Sequence, residues 1–296
     1  MESLTFATNF ETTIHVRIKQ PRQAIAKPLI VFLHYWGGSS STWHKLTSID
    51  SPTPTKLTSH PTAAIDLRGW GQSSGPAEDI GNAYSITVMA QDVAAVLSQL
   101  KKHTKHNTLL DNGLVLVGHS MGAKVALATI QYLTPSLLDN LKGLVLVVPA
   151  PPTALILPAE MRKQQKAAYD SEESVRWTVT NVLSNPKNLA EGDMDVIIHD
   201  SLAGNAHAKI SWPGYGIQED VSDSVKEALK PVADKLRACV LAGELDVVEP
   251  PERVKDQTVK FLEDAGVSVS FMVVKGVKHL IPLEDPNAVY EAISTF

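Results

Sequence analysis

Residues 114–127 have the sequence LVLVGHSMGAKVAL, and this stretch decides the expected fold. An apolar run of strand length is followed by Gly–X–Ser–X–Gly and then by helix-forming residues. This order predicts a sharp turn at Ser120 between a buried strand and a helix. Glycines at 118 and 122 leave room where strand and helix approach each other, so the Ser120 hydroxyl should stand above the sheet edge. A glycine-rich turn with a capping serine would give the same short pattern, so the rest of the chain must decide.

Size, charge and composition limit what the chain can be. It has 296 residues, 44 % of them hydrophobic, enough for one large core with an inserted lobe or for two modest domains. The formal net charge is −5 and the lysines are scattered, so we expect no nucleic-acid partner. Met1–Phe10 lacks the basic and apolar blocks of a secretory signal, and prolines interrupt the uncharged residues 143–159. The single cysteine, Cys239, requires no oxidising compartment. We therefore expect a cytoplasmic protein with no membrane partner.

Strand-like and helix-like segments alternate along most of the chain. Two N-terminal segments, Leu4–Thr8 and Thr12–Lys19, have the period-two pattern of an antiparallel hairpin. Further apolar runs predict buried strands at Pro28–Leu33, Ala63–Leu67, Leu141–Val148, Ala238–Ala242 and Val267–Val274. Helices are predicted over 88–100 from apolar spacing, over 251–265, and after the Asp285–Pro286 start signal. The alternation predicts an α/β protein with a mostly parallel central sheet flanked by helices.

Residues 151–231 have a different character from the rest. They contain helical patterns but no strand-like apolar run. We therefore expect a helical cap, or lid, over 151–231, inserted into a core formed by residues 1–150 and 232–296.

A serine nucleophile needs a base, and the base must be oriented by a third group. In such sheets reacting groups follow the carboxyl ends of strands, and His279 and Asp246 follow the last two predicted strands. The order Ser120, Asp246, His279 is the one that the Gly–X–Ser–X–Gly motif, the nucleophile elbow, requires. Glu244 lies very close to the strand end, and Glu249, just before two prolines, is expected to point to solvent. Asp246 is therefore the predicted acid.

A tetrahedral intermediate also needs two hydrogen-bond donors for its oxyanion. One is expected from the Met121 N–H and the other from the Trp36 N–H, in the loop HYWGGS at residues 34–39. The alternative role for this loop is a glycine turn serving a short helix near Trp43.

Other side chains are candidates for contact with a substrate. His34, Tyr35 and His119 adjoin the predicted site, and Trp177 and Trp212 belong to the predicted cap. His103 and His106 lie in a polar linker and are expected at the surface. No His or Cys pair recurs with metal-ligand spacing beside a carboxylate, so no metal is predicted.

Several of these stretches together resemble the α/β-hydrolase family, specifically its cap-bearing members with a serine nucleophile. The matching stretches are LHYWGG at 33–38, DLRGWGQS at 66–73, GHSMG at 118–122, GELD at 243–246 and HLIPLEDP at 279–286. They occur in the family's order over nearly the whole chain. Two departures stand out: Tyr35 and Lys278 occupy positions where glycine is usual.

The resemblance implies an esterase-like or lactonase-like enzyme. We expect hydrolysis of a carboxylic ester or lactone of a small organic substrate through an acyl-enzyme on Ser120, with no cofactor. Relatives with the same triad cleave carbon–carbon bonds in ring-fission products, and Arg176–Trp177 are candidate substrate-binding groups for that reaction. Other relatives are slow-turnover ligand receptors. Dehalogenases and epoxide hydrolases use aspartate at the elbow, which Ser120 argues against. The sequence fixes neither the substrate nor the oligomeric state.

Overall fold

The computed structural model describes residues 1–9, 12–21, 26–47 and 57–296. In these ranges the strands form one sheet with the order β1-β2-β4-β3-β5-β6-β7-β8. The strands are β1 (Glu2–Ala7), β2 (Thr13–Lys19), β3 (Leu29–Leu33), β4 (Thr62–Ile65), β5 (Leu114–His119), β6 (Leu141–Val147), β7 (Arg237–Gly243) and β8 (Ser268–Val274). The pairs β1/β2 and β2/β4 are antiparallel, and the other neighbours are parallel. The predicted α/β class, the N-terminal hairpin and the mostly parallel sheet are confirmed.

The central strands are apolar because helices cover both faces of the sheet. β3, β4 and β5 are buried along their whole length. A strand buried on both faces has no polar positions to alternate with apolar ones, which explains the continuous runs in the sequence. The elbow strand β5 lies between β3 and β6, near the middle of the sheet.

Helices make up most of the remaining described chain. The α-helices are α1 (His44–Thr47), α2 (Ile86–Lys102), α3 (Met121–Thr129), α4 (Pro135–Asp139), α5 (Ala159–Ala167), α6 (Glu172–Thr178), α7 (Asp193–Ala203), α8 (Ala206–Gly214), α9 (Ser222–Leu229), α10 (Pro251–Val254), α11 (Lys260–Asp264), α12 (Ile281–Glu284) and α13 (Pro286–Ser294). Short 3₁₀ segments cover Ser40–Trp43, Asn107–Leu110, Ile130–Tyr132, Pro186–Asn188 and Gly216–Gln218, and π-helical turns cover Val179–Leu183 and Lys255–Val259. No helix in the described ranges is long and apolar enough to cross a membrane.

The helix boundaries follow their capping residues. The Ser85 hydroxyl accepts a hydrogen bond from the Val88 N–H at 3.2 Å at the start of α2. At the start of α13, an Asp285 carboxylate oxygen accepts from the Ala288 N–H at 3.3 Å, and Pro286 occupies the first turn. The predicted helix start at Asp285–Pro286 is therefore confirmed.

The segment between β6 and β7 is helical, with α5 to α9 and no strand within residues 151–231. Buried polar contacts tie it to the residues around the sheet. Lys124 on α3 donates to the Thr153 and Ile217 carbonyls at 3.1 and 3.4 Å. Lys45 on α1 donates to Asp193 at the start of α7 at 2.6 Å.

One minor expectation was wrong. His106 is fully buried, not at the surface, and its Nδ1 lies 3.0 Å from the Gln20 side-chain nitrogen. The polar sequence around it gave no sign of this contact with Gln20, the residue that follows β2.

Candidate active site

Ser120 lies on a strained turn between β5 and α3. Its φ is 54° and its ψ is −115°, in the positive-φ region that non-glycine residues rarely adopt. A Cβ at position 122 would lie 2.4 Å from the Leu33 and His34 carbonyl oxygens, so the close approach of α3 to β3 requires glycine there. Ser120 is the N-cap of α3, but its side chain makes no capping hydrogen bond. The capping-serine interpretation is therefore wrong, and the turn presents the hydroxyl instead.

His279 and Asp246 meet on the loops that follow β8 and β7. The His279 Nδ1 lies 2.7 Å from the Asp246 Oδ2, and both side chains are buried. The Asp246 Oδ1 accepts from the Val248 and Glu249 N–H groups at 2.7 and 3.1 Å. Both carboxylate oxygens are thus engaged, which fixes the carboxylate and leaves the His279 Nε2 as the nitrogen available to a proton donor.

The charge on Asp246 controls the protonation of His279. Burial of the ring opposes protonation, but the Asp246 carboxylate and its hydrogen bond outweigh burial and raise the pKa of His279 above its ordinary value. A base with a raised pKa holds a proton more strongly than a free imidazole, which suits proton transfer near neutral pH.

A cavity of about 280 Å³ brings several predicted residues together. Ser120 and His279 line it, as do Tyr35 and Trp36 from the loop after β3. Most of the remaining wall comes from the helical segment between β6 and β7 and is apolar. This wall includes Leu155, Leu157, Val182, Leu183, Trp212 and Ile217. Reaction at Ser120 would therefore take place in a largely apolar chamber.

The loop after β3 is held firmly beside this cavity. The Trp36 indole donates to the Lys209 carbonyl at 3.0 Å, and the Tyr169 hydroxyl donates to the Trp36 carbonyl at 2.8 Å. Within the described chain, neither the Trp36 nor the Met121 N–H donates to another residue, so both remain available to a ligand. The loop also leads into the 3₁₀ turn at Ser40–Trp43, so the alternative role that its glycines suggested is present as well.

The other candidates lie in different places. Tyr35 and Trp212 line the cavity. His34 is buried behind it, where its Nδ1 contacts the Tyr35 carbonyl at 2.7 Å and its Nε2 accepts from the Leu67 N–H at 3.0 Å. Trp177 is 51 % exposed and not part of the cavity wall. The neighbouring Arg176 is also exposed and pairs with Glu172 at 2.8 Å.

His119 supports the site without lining the cavity. Its Nε2 lies 2.8 Å from the His279 backbone carbonyl. Complete burial lowers the pKa of His119 well below its ordinary value, so the ring is neutral.

The expectation that Glu249 points to solvent was wrong. It is only 2 % exposed and lines the cavity. The cause is local: Asp246 Oδ1 binds the N–H groups of Val248 and Glu249, which turns the loop back on itself. Glu244 is the more exposed carboxylate, bound to the Lys275 ammonium at 2.6 Å and the Gly276 N–H at 2.9 Å.

The sequence interpretation also missed Gln165 of α5, which lines the same cavity. Its Oε1 is buried and has no hydrogen-bond partner among the described residues. The one signal in the sequence is the Gln164–Gln165 pair inside the helical segment that was predicted over 151–231.

Comparison with known proteins identifies the family. The model of the alpha/beta hydrolase family matches residues 30–292. The chain belongs to this family. The resemblance inferred from its motifs is thus confirmed, and the hydrolase fold and hydrolase family assignment stand. No curated protein sequence matches the chain significantly.

Solved structures with the same fold cover nearly the whole hydrolase. An esterase from Exiguobacterium antarcticum has a TM-score of 0.72 at 18 % identity and covers 99 % of this chain and 98 % of its own. The enol-lactonase from Burkholderia xenovorans gives the same four values. A bromoperoxidase from Bacillus anthracis has a TM-score of 0.73 at 15 % identity, covering 99 % of both chains. At these identities the likeness establishes the fold and not the substrate.

Proposed function

We propose that this hydrolase cleaves a carboxylic ester or lactone of a small organic substrate through an acyl-enzyme on Ser120. One observation carries the proposal: the His279 that bonds Asp246 at 2.7 Å lines the same cavity as Ser120 on its strained turn. Nucleophile, base and orienting acid are the three parts of a serine triad. The esterase and enol-lactonase folds among the similar structures are consistent with this chemistry.

The mechanism follows from the donors and acceptors present. His279 Nε2 takes the Ser120 proton while Ser120 Oγ attacks the carbonyl carbon. The N–H groups of Met121 and Trp36 bind the oxyanion, and His279 returns the proton to the leaving alcohol. Water activated by His279 then hydrolyses the acyl-enzyme. His279 mediates each proton transfer between Ser120, the leaving alcohol and water, so the proposed reaction needs no cofactor.

We propose that residues 151–231 act as a cap over a core of residues 1–150 and 232–296. The helical segment supplies most of the apolar cavity wall, so it would select substrates by the shape of their apolar parts. The location of the protein in the cytoplasm and the absence of nucleic-acid and membrane partners remain proposals from composition alone.

A screen of short aryl esters, lactones of different ring size and a vinylogous diketone tests the reaction class. Rapid turnover of esters or lactones supports the proposal. Preference for the diketone would favour carbon–carbon hydrolysis, although Arg176 and Trp177, the groups expected to serve it, lie outside the cavity wall. Stoichiometric labelling with very slow release would favour a ligand receptor.

The Ser120→Ala variant tests the nucleophile. Turnover should fall by about 10⁴ to 10⁶ while folding is retained, since the hydroxyl is needed for bond formation and little for packing. A serine-directed phosphonate should add once per chain to the wild type and not to this variant. The control is Ser136→Ala, at an exposed serine on α4. Near-native turnover by Ser120→Ala would refute the assignment.

A further inference from the structure

The carboxyl group of Glu249 faces an environment unusual for an acid. It is 2 % exposed and lines the largely apolar cavity. Among the described residues, its side-chain partner is the Arg253 guanidinium, whose Nη1 lies 3.4 Å from Oε2. The same Nη1 donates to the Val248 carbonyl at 2.8 Å, so the arginine is mainly engaged there. The carboxyl therefore retains hydrogen-bonding capacity in a wall that offers little else to bind.

The cost of burial governs the charge of this group. Burial raises the pKa of Glu249 to about 8, with the Asp246 charge adding to the effect and Arg253 and His279 opposing it. At neutral pH the group is mainly a neutral carboxylic acid, which can donate one hydrogen bond and accept others.

Gln165 provides a second and independent observation. It lines the same cavity from α5, on a different element from Glu249. Its buried Oε1 accepts no hydrogen bond from the described residues. Buried acceptors normally have a donor, and an unmatched one calls for an explanation. A donor on a bound substrate would supply it.

We propose that Glu249 and Gln165 form a polar recognition site for a hydroxyl group carried by the ester or lactone substrate. This rests on the proposed function and adds the substrate class: hydroxylated esters rather than plain alkyl ones. A neutral hydroxyl fits because it donates its one hydrogen to the Gln165 carbonyl oxygen and accepts a hydrogen bond from the protonated carboxyl. An ammonium fits less well, because the Arg253 guanidinium already lies 3.4 Å from Glu249 Oε2.

The test compares matched ester pairs that differ by one hydroxyl. On the acyl side these are para-nitrophenyl butyrate and its β-hydroxybutyrate analogue; on the alcohol side, ethyl and 2-hydroxyethyl butyrate. The wild type should prefer the hydroxylated member of at least one pair by about ten- to a hundredfold in kcat/KM, as expected when a buried polar group is left unmatched. No preference in either pair would overturn the proposal, as would stronger preference for a β-amino ester.

Substitutions then assign the preference. Glu249→Met and Gln165→Met should each reduce the hydroxyl preference at least fivefold, whereas Glu249→Gln, which can still donate and accept, should keep most of it. Glu252→Met, three residues on and exposed, is the matched control and should leave the ratio unchanged. Equal losses of kcat/KM for both members of a pair would mean that Glu249 acts through His279 and does not contact the substrate, which would overturn the proposal.

Binding separates this inference from the proposed chemistry. In the Ser120→Ala background, tryptophan fluorescence titration measures the affinity for each ester whether or not catalysis follows the proposed route. Tighter binding of the hydroxylated member, lost on adding Glu249→Met, supports the site even if the nucleophile assignment fails. Equal affinities for both members would overturn it.

Discussion

His119 donates a hydrogen bond from its ring Nε2 to the backbone carbonyl of His279 over 2.8 Å. A carbonyl can only accept, so Nε2 carries the proton of this neutral ring. The residue before the predicted nucleophile thus holds the loop that carries the predicted base. The backbone N–H of His279 is also engaged, because it donates to the Leu183 carbonyl at 2.9 Å. These two hydrogen bonds hold the backbone of His279 and so help to set where its ring lies.

We predict that His119→Leu lowers kcat by about ten- to a hundredfold with little change in KM, because loss of the donor leaves a buried carbonyl unmatched and loosens the loop. His119→Gln retains an amide donor and should recover part of the rate, which a purely steric role would not explain. Steady-state kinetics measure both. The exposed His199→Leu is the control. A rate for His119→Leu within twofold of the wild type would contradict a positioning role.

We predict that Asp246→Asn lowers turnover by about 10³ to 10⁴, since the proposed base, His279, would lose the carboxylate that orients it. Glu244→Gln should cost less than about tenfold, because Glu244 is bound to Lys275 outside the cavity. Rates on one activated ester compare the two variants. A larger loss for Glu244→Gln would refute Asp246 as the acid.

The pH profile gives a further prediction on the same pair. In the proposed mechanism His279 acts as a neutral base, so kcat/KM of the wild type should rise with pH through a pKa above the ordinary histidine value. Asp246→Asn removes the charge that raises this pKa and leaves burial, which lowers it, so the acidic limb should move to lower pH. An unmoved limb, measured on the residual activity, would mean that another group titrates.

The features predictable from sequence were those fixed by local pattern. The Ser120 turn, the buried runs such as Leu29–Leu33 and the Asp285 cap each depend on neighbouring residues, and each is in place. The burial of Glu249 depends on a local turn that is coupled to a distant contact. Asp246 accepts a hydrogen bond from the Glu249 N–H while it also bonds His279, 33 residues away, so a residue expected at the surface lines the cavity. The charge of Glu249 and the prolines that follow it suggested exposure, and no sequence pattern indicates that Asp246 bonds both His279 and the Glu249 backbone.

The apolar wall yields a prediction about substrate choice. Trp212 is buried and lines the cavity, whereas Trp177 is exposed and does not. Trp212→Ala should change the ranking of esters by acyl size by about tenfold or more, with a much smaller effect on the reaction of Ser120 with a small phosphonate. Trp177→Ala, tested on the same ester series, is the control and should leave the ranking unchanged. Equal losses by Trp212→Ala for every ester would point to misfolding of the helical segment.

The buried acid Glu249 predicts how stability depends on pH. Its pKa is about 8 in the folded chain against 4.5 for the unperturbed group. Between these values the unfolded chain has released the proton while the folded chain still holds it, so this residue makes the free energy of unfolding fall as pH rises. Below pH 4.5 both states are protonated and above about 8 both are ionised, so the effect levels off at each end.

The Glu249→Gln variant has no ionisable group at this position, so this residue no longer lowers its free energy of unfolding as pH rises. Its Tm relative to the wild type should therefore increase from pH 4.5 to about 8, by about 5 °C or more in total, and then stay constant. Taking the difference between the two proteins cancels the titration of the other groups. Glu252→Gln, at an exposed position, should show no such trend. Thermal denaturation followed by circular dichroism at several pH values measures the difference. A Tm difference independent of pH would show that Glu249 has the same pKa in the folded and unfolded chain, which would contradict its burial in the cavity wall.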